Sequence, residues 1–196
     1  MKNILIFVLF VSLIIVILSN LAGKGWLIYH EGSFKGRVID GDSKGPIEGA
    51  VVVAVYHVRK YGLGAGIMSD SSAVDAKEVL TNKKGEFSIS THVFFSFWPF
   101  ASGDTTEFII YKPGYTAFPS FEYARYFPES PLDLNLQAQA DLFKKGVTVE
   151  LMQLKTKKER LNNIPSSPTD MGAREMPLLY KAINEENKRF GLGEVR

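Results

Sequence analysis

The chain has 196 residues, of which 45% are apolar, 12% aromatic and 22% charged, with a formal net charge of +2. That length suffices for one ordinary domain with a real core plus extensions; the apolar fraction excludes wholesale disorder, and the near-balanced charge excludes a dedicated nucleic-acid binder. The absence of cysteine excludes a disulfide scaffold, a thiol catalyst, a cysteine-ligated zinc site and a lipid-modified N-terminal cysteine.

Residues 4–18 form an apolar run broken only by Ser12 and preceded by Met1 and Lys2, the layout of an export signal. Carried through Ser19, Asn20, Leu21 and Ala22, the run approaches the ~20 residues that span a bilayer. Cleavage after Ala22 would put Asn20 at minus three, and cleavage after Gly23 would put Leu21 there, so neither site obeys the small-residue rule. Residues 1–23 therefore read as a signal peptide or a transmembrane anchor, with the anchor favoured. The early positive charge keeps the tail cytoplasmic and exports the body, although Lys24 lies on the far side. Residues 24–33 read as a linker. The sequence holds no Asn-x-Ser/Thr sequon, which favours a bacterial envelope over a glycosylated secretory route.

From Phe34 the periodicity changes to that of strands. Phe34 to Ile39 alternate as a half-buried strand, and Asp40 to Gly45 supply turn chemistry. Ala50 to Val58 is rich in valine and apolar on both faces, as suits a central strand. Glu78 to Thr81 is a short strand, and Asn82-Lys83-Lys84-Gly85 predicts a hairpin turn into Glu86 to Ser90. Phe108 to Tyr111 is a fifth strand, stopped by Lys112-Pro113-Gly114, and Val147, Val149 and Leu151 alternate inward in a last one. Short strands separated by Gly, Asp and Pro turns indicate an all-β, antiparallel sandwich.

The segments FKGRVID at 34–40, PIEGAVVVAVY at 46–56, EVLTNKKGEFSI at 78–89 and IIYKPGY at 109–115, in that order, resemble the carboxypeptidase regulatory-like domain family. The resemblance implies a transthyretin-like (prealbumin-like) β-sandwich over residues 34–153. It also implies a folded, usually non-catalytic module of exported and cell-envelope proteins. No catalytic residue comes with it.

The chemistry-bearing residues are sparse. His30, His57 and His92 stand far apart, without HExxH or HxxE spacing. Ser69, Ser71 and Ser72 read as a polar loop without a nearby histidine, and no Gly-x-Ser-x-Gly elbow occurs. Gly62 to Gly66 lacks the spacing and following helix of a dinucleotide loop. Asp70, Asp75 and Glu78 lack EF-hand spacing. The expectation is a non-enzymatic protein with no cofactor and no metal.

The segment VFFSFWPF at 93–100 holds Phe94, Phe95, Phe97, Trp98 and Phe100. These residues either pack a long loop onto the core or form an exposed surface for a membrane or a protein partner. A second cluster, Phe118, Phe121, Tyr123, Tyr126 and Phe127, reads as an edge cover or a stacking platform for a glycan. Leu132, Leu134 and Leu136 alternate with polar residues, suggesting an extra strand or an extended loop. The tail, 154–196, is helical: Thr156-x-x-Glu159 is a capping box, and the apolar spacing from Leu178 to Phe190 ends at Gly191. That amphipathic stretch packs on the sandwich or docks on a partner, with intramolecular packing favoured. The functional expectation is a membrane-anchored or secreted envelope module, a scaffold or protein-interaction domain. Carbohydrate binding through the aromatic loops is the alternative.

Overall fold

A computed structural model describes residues 2–21, 28–61, 69–96, 101–119, 136–165 and 171–195. Two three-stranded sheets face each other. One has the order β4 (Ser69–Leu80), β3 (Val51–Tyr61), β7 (Ala101–Tyr111) and is antiparallel throughout. The other has the order β5 (Glu86–Ile89), β2 (Phe34–Asp40), β8 (Val147–Leu151), with β2 antiparallel to β5 but parallel to β8. A separate ribbon pairs β1 (Ile28–Glu31) with β6 (His92–Phe95); β1 lies inside the stretch read as a linker.

The apolar character of both faces of β3 has a direct cause. Val52, Ala54, Tyr56 and Val58 point to the space between the sheets, where they meet Phe34, Val38, Phe87, Ile89, Phe108, Val149 and Leu151. Val51, Val53 and Val55 point the other way, onto the helix α4 (Pro177–Arg189), through Met176, Leu179, Tyr180, Ala182 and Ile183. Strand residues alternate sides, so a strand buried twice must be apolar at every position.

These contacts correct the all-β expectation. The described residues are about 30% helical and 40% strand, with three sheets and four helices. The helix α2 (Leu136–Lys145) stands where an extra strand or extended loop was expected. It drives the fully buried Phe143 into the inter-sheet core, stacked on Phe108 at 3.8 Å and 6°. Its last turn closes on Gly146, whose φ of 103° suits glycine and whose N–H donates to the Leu142 carbonyl at 2.9 Å. The Asn82–Gly85 turn is also not a hairpin, because β4 and β5 belong to different sheets. The turn is a corner between layers. It is held by Asn82 Oδ1, which accepts from the N–H groups of Lys84 and Glu86 at 2.9 and 3.0 Å.

The N-terminal part of the expected architecture is corrected as well. Among the described residues no helix is long and apolar enough to cross a membrane. The helix α1 (Lys2–Leu21) contains the apolar run 4–18, which at 1.5 Å per residue measures about 22 Å, against ~30 Å of bilayer hydrocarbon.

In the tail, α3 (Lys157–Asn162) starts with the capping box read from the sequence: Thr156 Oγ1 accepts from the Glu159 N–H, and the Glu159 carboxylate accepts from the Thr156 N–H. Helix α4 has Pro177 in its first turn and no side-chain cap of its own. Its free N–H groups are served across the fold, since the Glu78 carboxylate on β4 accepts from Leu178 and Leu179 at 2.8 Å each.

Candidate functional site

The aromatic segment 93–100 divides by strand alternation. Phe94 on β6 is buried, with its ring stacked between Tyr29 and Tyr56 at centroid distances of 5.2 Å. It is a core residue, which corrects its place in an exposed surface. Phe95 and Val93 point the other way and are 62% and 43% exposed. Phe97, Trp98 and Phe100 lie outside the described residues. Of the second cluster, Phe118 is buried against Phe143 and offers no free face; Phe121, Tyr123, Tyr126 and Phe127 lie outside the described residues, as does Gly62 to Gly66.

The histidines are better connected than their spacing implied. The ribbon register puts Tyr29 opposite Phe94 and Glu31 opposite His92. His92 stacks on the Tyr56 ring at 4.9 Å, and its Nε2 meets Asp75 Oδ2 at 2.8 Å. Ser69 to Leu80 is a strand and not a loop, and Ser71 Oγ lies 3.4 Å from His57 Nδ1. On the other side of that ring, Nε2 is 3.4 Å from Glu107 Oε2. The line Ser71–His57–Glu107 has the order of a nucleophile relay, but both steps are longer than the ~2.6–3.2 Å that activation needs. Asp75 and Glu78 are engaged separately, with His92 and with α4. Among the described residues no three His, Cys, Asp or Glu side chains are placed to hold a metal ion.

Around His57 both neighbouring strands bulge. On β4 the register steps from Tyr56↔Asp75 to His57↔Ala73, and on β7 from Tyr56↔Thr106 to Val58↔Gly103. Each neighbour carries one extra residue, and such bulges re-aim side chains. The β7 bulge and the β1–β6 ribbon border a partly open pocket of about 180 Å³. Tyr29, Glu31, Tyr56, His57, Asp104 and Thr105 are among its walls.

Four buried side-chain atoms have no hydrogen-bond partner among the described residues: Tyr29 Oη, Tyr56 Oη, His57 Nε2 and Thr105 Oγ1. His57 Nε2 approaches Glu107 without the alignment a hydrogen bond requires. Tyr29 and Tyr56 are 7% and 1% exposed. Burial holds both phenols above their usual range, and for Tyr56 the negative charges of Glu31 and Asp75 add to that effect. Both hydroxyls therefore keep their protons at neutral pH. This site was hidden in the sequence: Tyr29 falls in the apparent linker, and Gly103 to Thr106 precede the segment recognisable as a strand. A Ser/Asp/Thr-rich stretch paired to a valine-rich strand was the one available sign.

Comparison with known proteins finds no matching family model, no matching curated protein and no matching solved structure.

Proposed function

We propose that the protein is a non-enzymatic, exported module of the cell envelope, with residues 4–18 directing the chain to a membrane and the body acting as a scaffold or protein-interaction domain beyond it. The observation supporting this reading is a contrast in burial. The body hides its valines and aromatics between sheets and helix, whereas Ile4, Phe7, Leu9 and Phe10 are 60–68% exposed along α1. A continuous apolar surface of that kind needs an apolar host, and a short apolar helix behind a single lysine is the form export signals take. The resemblance of residues 34–115 to carboxypeptidase regulatory-like domains points to the same compartment and to a binding role. On the body, Phe95 and Val93 form an exposed apolar pair on one face of β6, available to a protein partner.

Cell fractionation with protease protection tests the address, and photo-crosslinking from position 93, on the same face of β6, tests the role. The expected result is a body that external protease digests while the cytoplasmic membrane is still intact, with a reproducible envelope protein crosslinked through position 93 and lost when Phe95→Ser is added. A body recovered in the cytosol would overturn the address, and an unchanged crosslink pattern in Phe95→Ser would overturn the interaction surface.

A further inference from the structure

We propose that the pocket between α4 and the start of β3 binds a small organic anion that carries an apolar portion. The pocket is partly open, measures about 260 Å³, and lies where α4 meets Gly49 and Val51 and the Lys112-Pro113 step after β7. Its charged walls are Lys112, Lys181, Arg189 and Glu185. The last three stand at four-residue steps along α4, which puts them on one face of that helix. None of the four makes an ion pair among the described residues. Three cations against one carboxylate attract an anion and repel a cation.

Lys112 carries the argument furthest. It is half-buried, and its Nζ donates to the Gly49 carbonyl at 3.4 Å, its one acceptor among the described residues. An ammonium group has three donors, and holding it away from water without a counter-charge is costly. Gly49 keeps the space beside it clear, since a Cβ there would stand 3.1 Å from Lys112 Nζ. The nearby acids leave that charge unmatched: Glu78 accepts from the first N–H groups of α4, Glu186 holds Arg160, and the exposed Glu48 is not a wall. The remaining walls select an organic anion over an inorganic one. Val51, Leu80, Pro113 and Leu178 are apolar, and Leu80 is 52% exposed; an apolar group laid on it removes that surface from water. The site is independent of the export reading, since it lies wholly within the folded body.

Titration calorimetry of the full chain in non-ionic detergent, with benzoate, benzyl alcohol and acetate as separate probes, tests the proposal. The expected result is saturable binding of benzoate, at least about tenfold tighter than either of the others. Lys112→Met removes the charge but keeps an unbranched side chain against Gly49, and should weaken benzoate about tenfold. No carboxylate loses a partner in that variant, so its melting temperature should hold or rise, which separates lost binding from lost folding. Lys181→Gln, at an exposed position on α4, should weaken benzoate about threefold with the fold untouched. Benzyl alcohol binding as tightly as benzoate would overturn the role of charge, and acetate binding as tightly would overturn the role of the apolar walls. An absence of saturable binding, or benzoate binding unchanged in both variants, would overturn the site itself.

Discussion

Removing Arg160 should release α4 from the outer face of the β4–β3–β7 sheet. Glu186, whose side chain is 1% exposed, receives Arg160 Nε–H and Nη2–H at 2.6 Å each, and the Arg160 side chain is itself only 23% exposed. The geometry is the bidentate fork in which an arginine meets a carboxylate best. Arg160→Met keeps most of the packing on Phe190, over which the guanidinium sits at 5.4 Å, but leaves a carboxylate buried without its counter-charge. Breaking one side of a buried pair costs about 3–5 kcal/mol. The partial exposure of the arginine lets water reach in and puts the expectation at the lower end, about 3 kcal/mol, or a melting-temperature drop of about 6–12 °C for a chain of this size. The double variant Arg160→Met/Glu186→Leu removes the charge together with its partner and should fall within about 1 kcal/mol of the parent. Urea unfolding followed by circular dichroism measures all three proteins. A single-variant cost below about 1 kcal/mol, or a double variant worse than Arg160→Met, would refute the view that an ion pair holds α4 in place.

Phe143→Ala should cost about 3–5 kcal/mol, because its fully buried ring contacts Phe87, Phe108 and Phe118 at the centre of the inter-sheet core. A loss below about 1 kcal/mol in chemical denaturation would mean that α2 is an accessory and not a part of the core. Glu78 gives a pH signature. Burial pushes its carboxyl above the usual 4.5 despite the two N–H groups of α4 that favour the charged form. A raised acid pKa means that the folded state binds more protons than the unfolded state between 4.5 and the folded value. The contribution of Glu78 to stability therefore declines as pH rises through that window. Glu78→Gln should flatten that part of the stability–pH curve; an unchanged curve would refute the assignment. Asp40 has the opposite sign, since the Ser43 N–H lowers its pKa below 3.8: its contribution is present at neutral pH and is lost as pH falls through the lowered value. Asp40→Asn should remove that acid-side loss from the same stability–pH curve.

Much of the body was legible where local chemistry and tertiary demand agree. Phe34 to Ile39 and Val147 to Leu151 alternate because each has one face in the core, and both are strands. Thr156 and Glu159 form their capping box from residues three positions apart, with no outside help. Position of the partner is what local pattern leaves open. Val147 to Leu151 reads the same whether β8 runs parallel or antiparallel to β2, and the parallel arrangement follows from where α2 returns the chain. Leu136 to Lys145 was misread because one alternating stretch just before it looked extended, while the buried faces of Ala140 and Phe143 became meaningful only against the sheets. The serine-rich β4 looked like a loop because its half-exposed outer edge needs no apolar residues, and its strand state comes from pairing with β3.

By itself, the sequence determined the strand-rich body, the apolar N-terminal segment, the capping box of α3, the amphipathic spacing of α4 and the absence of cysteine chemistry. All of these depend on residue type and on spacings of a few positions. Tertiary structure decided which faces of β3 are covered and by what, turned Asn82–Gly85 from a hairpin into a corner, and sent Phe94 inward while Phe95 stayed out. It also gathered Tyr29, Tyr56, His57 and Thr105 around one cavity. Those residues come from three strands separated by tens of positions. Only the pairing of β1 with β6 and of β3 with β7 brings these residues to the border of one pocket.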